Sequence, residues 1–361
     1  MPTTYAIPNG RTAFDVTLWT GDAVTPKTVY SNLQFQPDMV WAKTRSVATQ
    51  HALYDSTRGA GSGKILIPNT TDPQGGTGGS TSDAQYGYLS AFNSNGISTV
   101  TGSSGINYFF NASGVTYVGW NWKANGGTTA SNTSGTITST TQVNAAAGFS
   151  IVTYTGTGSA GTVGHGLGVA PQFIISKNRS AAENWRVAHI GLTNMASWHC
   201  NLDTTQAQSN SGAAVWNNTT PTSTIFGVGT DTSVSGNGNG IVAYCWAPVA
   251  GFSQFGRYTG NGSADGPFVY TGFRPKWIMI KRTDDTYSWW INDSARDPYN
   301  VVGQDLAANL SQAESSDAPV QDFLSNGFKL RTSAYPGFNA NGGTYIYVAF
   351  AENPFKYANA R

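Results

Sequence analysis

The chain has 361 residues, of which 39% are hydrophobic and only 11% are charged, and its formal net charge is +1. This length exceeds one small domain and fits three units of roughly 100 to 120 residues. The near-neutral charge without a basic run excludes the footprint of a nucleic-acid-binding protein. The sequence also lacks a signal peptide and any apolar window of about 18 residues, so we expect neither secretion by a signal peptide nor membrane insertion.

One sequence pattern occurs three times along the chain. Each copy opens on an aromatic-Thr-Gly triplet, continues to a proline and, six residues later, a lysine, and closes on an aromatic residue. These landmarks are Trp19, Pro37, Lys43 and Trp122, then Tyr154, Pro171, Lys177 and Trp246, then Tyr258, Pro275, Lys281 and Phe350. The offset between the second and third copies is 104 residues at all four landmarks. We therefore place the first copy at 1–124 with a short N-terminal arm, the second at 149–247 and the third at 248–361.

The copies carry strong strand signals and weak helix signals. Short β-branched and aromatic runs such as Phe149 to Tyr154 and Thr344 to Phe350 are bounded by Gly, Asn and Pro. Asn-Gly turns at Gly96 and Gly327 predict hairpins whose glycines need positive φ. The pattern predicts an all-β protein of three tandem antiparallel β-sandwich units of jelly-roll or lectin-like type.

The segments between and within the copies differ in composition. Residues 125–148 are rich in Gly, Thr, Ser and Asn and predict a flexible linker, so that the first copy would be held more loosely than the other two. The first copy is also longer, and its additional residues fall in Gly59 to Ser82, which has the composition of an exposed loop. The copies diverge most in this segment, in Ser197 to Thr220 and in Pro298 to Pro319, which we expect to contact a target.

Four long phrases carry a resemblance to a known repeat family: Phe35 to Lys43, Ala147 to Gly158, Val163 to Gly168 and Phe323 to Ser333. With these phrases the chain resembles, over nearly its whole length, a repeat domain of virion and tail fibre proteins of marine tailed bacteriophages. The resemblance implies a lectin-like β-sandwich displayed on a virion surface, with no catalytic residues assigned to it.

The function that we expect from the resemblance is that of a bacteriophage tail fibre or receptor-binding protein. Its partners would be other virion proteins, further copies of the same chain in a trimer, and a host cell-surface glycan. The sequence has no tail-attachment region after its N-terminal arm, and this favours a capsid decoration protein or head fibre as the alternative. A glycan depolymerase is a third interpretation, which would require a pair of carboxylates about 5 to 9 Å apart.

Two columns of the repeat alignment contain residues capable of chemistry. His51, Trp185 and Trp289 each lie eight residues beyond a landmark lysine, and Asp55, His189 and Asp293 follow four residues later. The first and third copies read Asp-Ser-x-Arg, with Arg58 and Arg296 at the fourth position. We interpret Asp55 with Arg58 and Asp293 with Arg296 as structural pairs at strand ends rather than as a catalytic site, because glycoside hydrolysis needs two carboxylates and the second copy lacks the motif.

Other reactive residue types give weaker signals. The four histidines His51, His165, His189 and His199 lack metal-ligand spacing, and we expect hydrogen-bonded residues rather than metal ligands. Cys200 and Cys245 predict buried free thiols, with a disulfide left open. The sequence implies no cofactor and no enzymatic activity.

Aromatic residues are the candidate ligand contacts. Adjacent strand residues point to opposite faces, so Trp289 and Trp290 cannot both enter one core unless a second layer covers the sheet. An outward ring would suit stacking on a sugar or a subunit contact. The candidate ligand-binding residues are Trp185, Trp198, Trp216, Trp289, Trp290 and Tyr299.

Overall fold

The computed structural model describes residues 9–76, 82–316, 320–333 and 335–352. The first copy contains seven strands: β1 (Phe14–Thr20), β2 (Lys27–Tyr30), β3 (Met39–Thr44), β4 (Ala52–Asp55), β5 (Tyr88–Asn93), β6 (Gly96–Val100) and β7 (Thr116–Trp122). The next ten are β8 (Ala130–Asn132), β9 (Ser139–Asn144), β10 (Phe149–Thr155), β11 (Gly161–Gly164), β12 (Phe173–Asn178), β13 (Arg186–His189), β14 (Trp198–Asn201), β15 (Ser209–Asn210), β16 (Ile225–Val228) and β17 (Gly240–Trp246).

The third copy contributes eight strands: β18 (Ser253–Thr259), β19 (Phe268–Tyr270), β20 (Pro275–Arg282), β21 (Trp289–Asp293), β22 (Leu306–Ala307), β23 (Gln321–Leu324), β24 (Gly327–Leu330) and β25 (Thr344–Ala351). The α-helices have four residues each: α1 (Asp83–Tyr86), α2 (Ala213–Trp216), α3 (Thr232–Ser235) and α4 (Pro336–Asn339). Short 3-10 turns cover Gly10–Thr12 and Ala145–Ala147. The expectation of a mainly antiparallel β protein is therefore confirmed.

The strands form one large and one small sheet in each copy. The large sheets share one strand order: β1-β7-β3-β4, then β10-β17-β12-β13 within an eight-stranded sheet, then β18-β25-β20-β21. The opening strand pairs along its whole length with the closing strand, from Phe14 opposite Trp122 to Thr20 opposite Thr116 in the first copy. The small sheets are β2-β6-β5, β11-β16 and β19-β24-β23.

The inner faces of the three large sheets enclose one central core. Its aromatic residues come from all three copies and include the closing landmarks Trp122, Trp246 and Phe350. The Trp122 ring centroid lies 6.1 Å from that of Trp246 and 5.7 Å from that of Phe350. Burial of large aromatic side chains on this scale is a strong stabilising contribution, so the three copies fold onto one another instead of forming separate bodies.

The outer face of each large sheet packs on its own small sheet and encloses a separate apolar cluster. The period of two along each strand divides the side chains between the two cores. Trp289 thus lies in the central core while Trp290 packs against the outer cluster of the third copy. Other layers cover both faces of this strand, so both Trp289 and Trp290 are packed although they point in opposite directions.

The linker prediction for 125–148 is wrong. Strand β9 pairs with β10 from Asn144 opposite Phe149 to Ser139 opposite Tyr154, and β8 pairs with β9. The buried Gln142 side chain donates to Ser56 and Thr57 of the first copy at 3.0 Å each. Threonine-rich polar segments also form edge strands when a neighbouring strand is available, and composition alone does not distinguish this from a linker. The first copy is consequently not held loosely.

The prediction of an exposed loop in Gly59 to Ser82 is also wrong for its centre. Ile65, Leu66 and Ile67 are fully buried, and Leu66 lies in the central core. Residues 77–81 of this segment, like 317–319 of Pro298 to Pro319, lie outside the described residues.

The two hairpin glycines are constrained by close packing, not by positive φ. Neither Gly96 nor Gly327 is among the described glycines with positive φ. A Cβ atom added to Gly96 would lie 1.8 Å from the carbonyl oxygen of Tyr30, and one added to Gly327 would lie 2.1 Å from that of Val269. The strand that pairs on the other side of each glycine leaves no room for a side chain.

Candidate functional site

The first alignment column, His51, Trp185 and Trp289, forms contacts between copies. Each side chain bonds to main-chain carbonyls of another copy: His51 to Ala307 and Leu310 at 3.0 and 3.1 Å, Trp185 to Ile67 and Thr70 at 3.1 Å, and Trp289 to Asn201 at 2.8 Å. The second copy thus binds the first, the third binds the second, and the first binds the third. These bonds close a ring of three copies.

The chemistry of the His51 ring follows from its two partners. Trp41 Nε1 donates to His51 Nδ1 at 2.9 Å, so Nε2 carries the proton that is donated to the third copy. Burial, with a smaller contribution from Lys43, lowers the pKa of His51 to about 3. The neutral ring is therefore a fixed hydrogen-bonding group that matches the indole N–H of the other two copies.

The second column, Asp55, His189 and Asp293, closes the ring in the opposite direction. Its contacts are Tyr244 Oη donating to Asp55 Oδ2 at 2.6 Å, Trp120 Nε1 donating to Asp293 Oδ2 at 3.0 Å, and His189 Nε2 lying 3.0 Å from the carbonyl oxygen of Tyr347. The first copy here reaches the second, the second reaches the third, and the third reaches the first. Both columns therefore hold the copies together.

The residue facing the second column explains why the second copy departs from Asp-Ser-x-Arg. Trp120, Tyr244 and Val348 occupy the same position, two residues before each closing landmark. Val348 has no donor for a carboxylate, and the residue opposite it is His189, which donates to a main-chain oxygen instead. Gly191 N donates to His189 Nδ1 at 2.9 Å, which leaves the proton on Nε2.

The two Asp/Arg pairs are buried ion pairs at strand ends. Arg58 Nε lies 2.5 Å from Asp55 Oδ2 and Arg296 Nε lies 2.6 Å from Asp293 Oδ2, with side chains at most 1% exposed. Burial alone would lower the pKa of Arg58, but the Asp55 charge and the Tyr244 contact raise it overall. The guanidinium compensates a buried carboxylate that solvent does not reach. Neither carboxylate is placed to act on a substrate.

The landmark lysines Lys43, Lys177 and Lys281 are fully buried. Their ammonium groups donate to carbonyl oxygens, among them those of Thr44 for Lys43 at 3.0 Å, Thr71 for Lys177 at 2.8 Å and Thr205 for Lys281 at 3.1 Å. Thr71 and Thr205 belong to the copy that precedes Lys177 and Lys281, respectively. Desolvation lowers the pKa of Lys43 to about 7 and those of Lys177 and Lys281 to about 8. Lys177 and Lys281 thus also join copies, whereas Lys43 bonds within its own copy.

Most of the candidate ligand-binding tryptophans do not reach the surface. Trp185, Trp216 and Trp289 are at most 2% exposed, so their proposed role in stacking on a ligand is wrong. Trp198 packs partly buried against the central core, and Trp290 stacks on Phe338 with ring centroids 6.0 Å apart. Indole rings at these positions bury more area than any other side chain would.

Two exposed aromatic residues, Phe268 and Tyr270, lie on the outer side of the third copy, and we call them the outer aromatic surface. Phe268 and Tyr270 alternate with buried Val269 in β19, the edge strand of the small sheet, and are 45% and 66% exposed. Tyr299 is 80% exposed. The side chain of the next residue, Asn300, bonds to the main chain of Phe323 in β23 at 2.9 and 3.0 Å, which places Tyr299 beside the other edge of the same sheet.

Residues 10–354 match the family model described as "Domain of unknown function (DUF7483)". The chain belongs to the DUF7483 family. No curated protein and no solved structure matches it.

No group of three or more His, Cys, Asp or Glu residues within metal-binding distance occurs in the part of the chain that the structure describes. Cys200 lies in the central core and Cys245 in the outer cluster of the second copy, both as free thiols. Within the same residues no helix is long and apolar enough to cross a bilayer.

Sequence reasoning missed Phe268 and Tyr270 of this DUF7483 chain. Phe268-Val269-Tyr270 reads as a continuous apolar run, which favours a fully buried strand. The small sheet packs on the large sheet through one face only, so Val269 enters the outer cluster while Phe268 and Tyr270 point to the other side. The segments expected to contact a target are instead partly occupied by the contacts between copies, because Thr70, Asn201 and Leu310 all provide carbonyl acceptors there.

Proposed function

We propose that the chain is a non-enzymatic structural protein of a bacteriophage virion, a tail fibre or receptor-binding protein that contacts host surface glycans. The virion part of the proposal rests on the sequence resemblance. The observation that supports a binding role is the outer aromatic surface, where Phe268 and Tyr270, two residues apart on one strand, both expose their rings. The buried position of Asp55 and Asp293 supports the absence of catalysis.

We also propose that the three copies are versions of one lectin-like β-sandwich unit. Three large sheets with one strand order, each facing a small sheet across its own apolar cluster, support this assignment. The trimer of chains expected from the resemblance would use outer surfaces, because the inner faces of all three large sheets are occupied by the central core.

Glycan recognition would use the ring faces of the outer aromatic surface. Aromatic side chains present a flat apolar face that suits the C–H face of a sugar ring. The corresponding outer strands β2 and β11 read Lys27-Thr28-Val29-Tyr30 and Gly161-Thr162-Val163-Gly164 and offer no comparable pair of exposed rings. Multivalent binding would therefore depend on several chains per particle, each with one site, rather than on three sites per chain.

The exposed edge of β19 also favours the alternative, a capsid decoration protein or head fibre. An edge strand that carries exposed Phe268 and Tyr270 is suited to docking on another protein. In that case the same surface would bind the shell of the virion.

The binding role is tested with the full chain on a glycan array, compared with Phe268→Ala and Tyr270→Ala variants. We expect each substitution to weaken glycan binding by about tenfold, since loss of one stacking ring costs roughly 1–2 kcal/mol. Ile106→Ala is the matched control, because Ile106 has the same 45% exposure as Phe268 but lies in the first copy. Equal binding by all four proteins would contradict this surface as the glycan site.

Immunogold labelling of the intact phage separates the two virion roles. Label at the tail tip or fibres would support receptor binding, whereas label spread over the head would support the decoration protein and contradict the receptor-binding role.

A further inference from the structure

One place in the fold occurs three times, where a loop of each copy meets the next copy. The same main-chain bond marks it at each junction: Gln74 N to Arg179 O at 2.9 Å, Gln208 N to Thr283 O at 2.9 Å and Glu314 N to Arg45 O at 2.8 Å. Arg45, Arg179 and Thr283 each lie two residues after a landmark lysine. The three junctions are therefore directly comparable.

Arginine side chains fill two of these junctions. Between the first and second copies, Arg58 and Arg179 both donate to Gln74 Oε1, at 3.1 and 3.3 Å. Between the third and first copies, Arg45 and Arg296 both bind Glu314, at 2.8 to 3.0 Å. In both cases two guanidinium groups bind one side chain, Gln74 or Glu314, in the loop at that junction.

The junction between the second and third copies lacks both arginines. Thr283 occupies the position of Arg45 and Arg179, and Leu192 occupies that of Arg58 and Arg296. A cleft of about 200 Å³ lies at this junction, and its polar lining comes from Thr193, Gln208, Arg257, Thr259, Thr283 and Thr344. Thr283 lines the cleft where the other two junctions have an arginine, whereas Leu192 packs into the central core.

A cation from a different position faces this cleft. Arg257 lies in β18, where the other two copies have Leu18 and Thr153. It is exposed and forms no salt bridge or side-chain hydrogen bond within the described residues, whereas Asp284 nearby is paired with Arg282 at 3.0 Å. A Cβ atom on Gly191 would lie 2.9 Å from Gly256 O, so the wall formed by this loop lies directly against β18.

We propose that the cleft binds a small hydroxylated carboxylate of the uronic acid class. The free guanidinium of Arg257 suits a carboxylate, which it binds with two parallel N–H donors. Threonine hydroxyls and the Gln208 amide group supply donors and acceptors for the sugar hydroxyls. The proposal is independent of the proposed function, because the cleft lies between two copies and not on the outer aromatic surface.

The test uses the full chain with glucuronate as the probe and glucose as its uncharged counterpart, by calorimetry and saturation-transfer NMR. We expect saturable binding of glucuronate and none of glucose. Arg257→Gln should weaken glucuronate binding by about tenfold or more, the loss expected for a hydrogen bond to a charged group. Arg11→Gln, which removes a partly exposed arginine of the first copy, should bind as the unaltered chain does.

A second variant fills the cleft with an arginine side chain, as Arg179 fills the junction between the first and second copies. Arg179 lies against Gly240, where a Cβ atom would be 2.7 Å from its Nη2, and the equivalent residue in the third copy is Thr344. Thr283→Arg combined with Thr344→Gly should therefore abolish binding while the circular dichroism spectrum stays unchanged. Absence of glucuronate binding by the unaltered chain, equal binding of glucose, or undiminished binding by Arg257→Gln would overturn the proposal. Should the double variant unfold, Arg257→Gln alone decides.

Discussion

The phenol of Tyr244 donates a hydrogen bond to the Asp55 carboxylate across 2.6 Å, although the two residues belong to different copies and lie 189 positions apart. Burial, followed by the negative charge of Asp55, raises the pKa of Tyr244 well above its ordinary value. The bond joins an otherwise local Asp/Arg pair to the neighbouring copy. Contacts of this kind make the stability of one copy depend on the next.

Replacing Tyr244 with phenylalanine should lower the free energy of unfolding by about 2 kcal/mol, because a buried hydrogen bond to a charged group is lost. Urea unfolding followed by tryptophan fluorescence measures the change. Tyr270→Phe is the control, since Tyr270 is 66% exposed and its substitution should change stability little. Equal losses in the two variants would contradict the proposed contribution of the Tyr244 bond.

The protein should tolerate an aspartate at position 189 of the second column only when an arginine and a hydrogen-bond donor surround it, as they surround Asp55. His189→Asp alone places a carboxylate opposite Val348 without an arginine at 192, and we expect a loss of about 3–5 kcal/mol for an unpaired buried charge. Adding Leu192→Arg and Val348→Tyr recreates the arrangement of the first copy and should restore part of that loss. Unfolding free energies of the single and triple variants measure this, and a triple variant no more stable than the single one would argue against the column as a matched set.

The buried Lys43 should make stability rise with pH above neutrality. In the unfolded chain its amine is protonated below its ordinary pKa of 10.5, whereas in the folded protein burial lowers the pKa to about 7. Between these values the unfolded state binds the additional proton, so stability increases by up to about 1.4 kcal/mol per pH unit for this group. Below about pH 7 both states are protonated and the effect no longer changes with pH.

Lys43→Met should therefore reduce the slope of stability against pH between 7.5 and 9, by about the contribution of one proton. Melting of both proteins across this range measures the slope. The range ends at pH 9 because burial raises the pKa of Tyr154 and other buried phenols, and their ionisation in the unfolded chain favours unfolding at higher pH. Lys27→Met, at a surface ion pair, is the control, and an unchanged slope in Lys43→Met would refute the assignment.

Gly327→Val should destabilise the third copy by more than Ser325→Ala, for a reason that differs from the sequence expectation. The obstacle is the Val269 carbonyl and the Phe268 ring, 2.1 and 2.9 Å from an added Cβ atom. Gly327→Ala should therefore already cost about 1–3 kcal/mol, as overpacking does. Gly342→Ala provides the comparison, because Gly342 has φ of +74° and open space around it and only backbone strain of about 1 kcal/mol is expected there. Thermal melts in which Gly327→Ala costs nothing would exclude close packing as the constraint.

The repeat pattern identifies the positions of both columns but not the contacts between copies that their side chains form. His51, Trp185 and Trp289 each lie eight residues after a landmark lysine, and this spacing marks them as equivalent although their residue types differ. Their partners are main-chain carbonyls of loops whose sequences vary between copies. A carbonyl acceptor leaves no signature in residue type, so these bonds had no counterpart in the sequence pattern.

The composition of segment 125–148 does not distinguish a linker from an edge strand. Its Ser, Thr and Asn residues suit a linker as well as an edge strand, and the choice depends on whether the edge of β10 is open to pair with β9.

The sequence by itself determined the β structure and the strand-end Asp/Arg pairs, because alternation, turn residues and local spacing act over a few positions. The tertiary structure decided that both faces of the large sheets are buried, since only the joining of the three large sheets creates the central core. It also decided which arginines meet at a junction and where a cleft lies between copies. These outcomes depend on contacts between residues far apart in the chain, such as Trp120 with Asp293, which are 173 positions apart, and no local pattern encodes them.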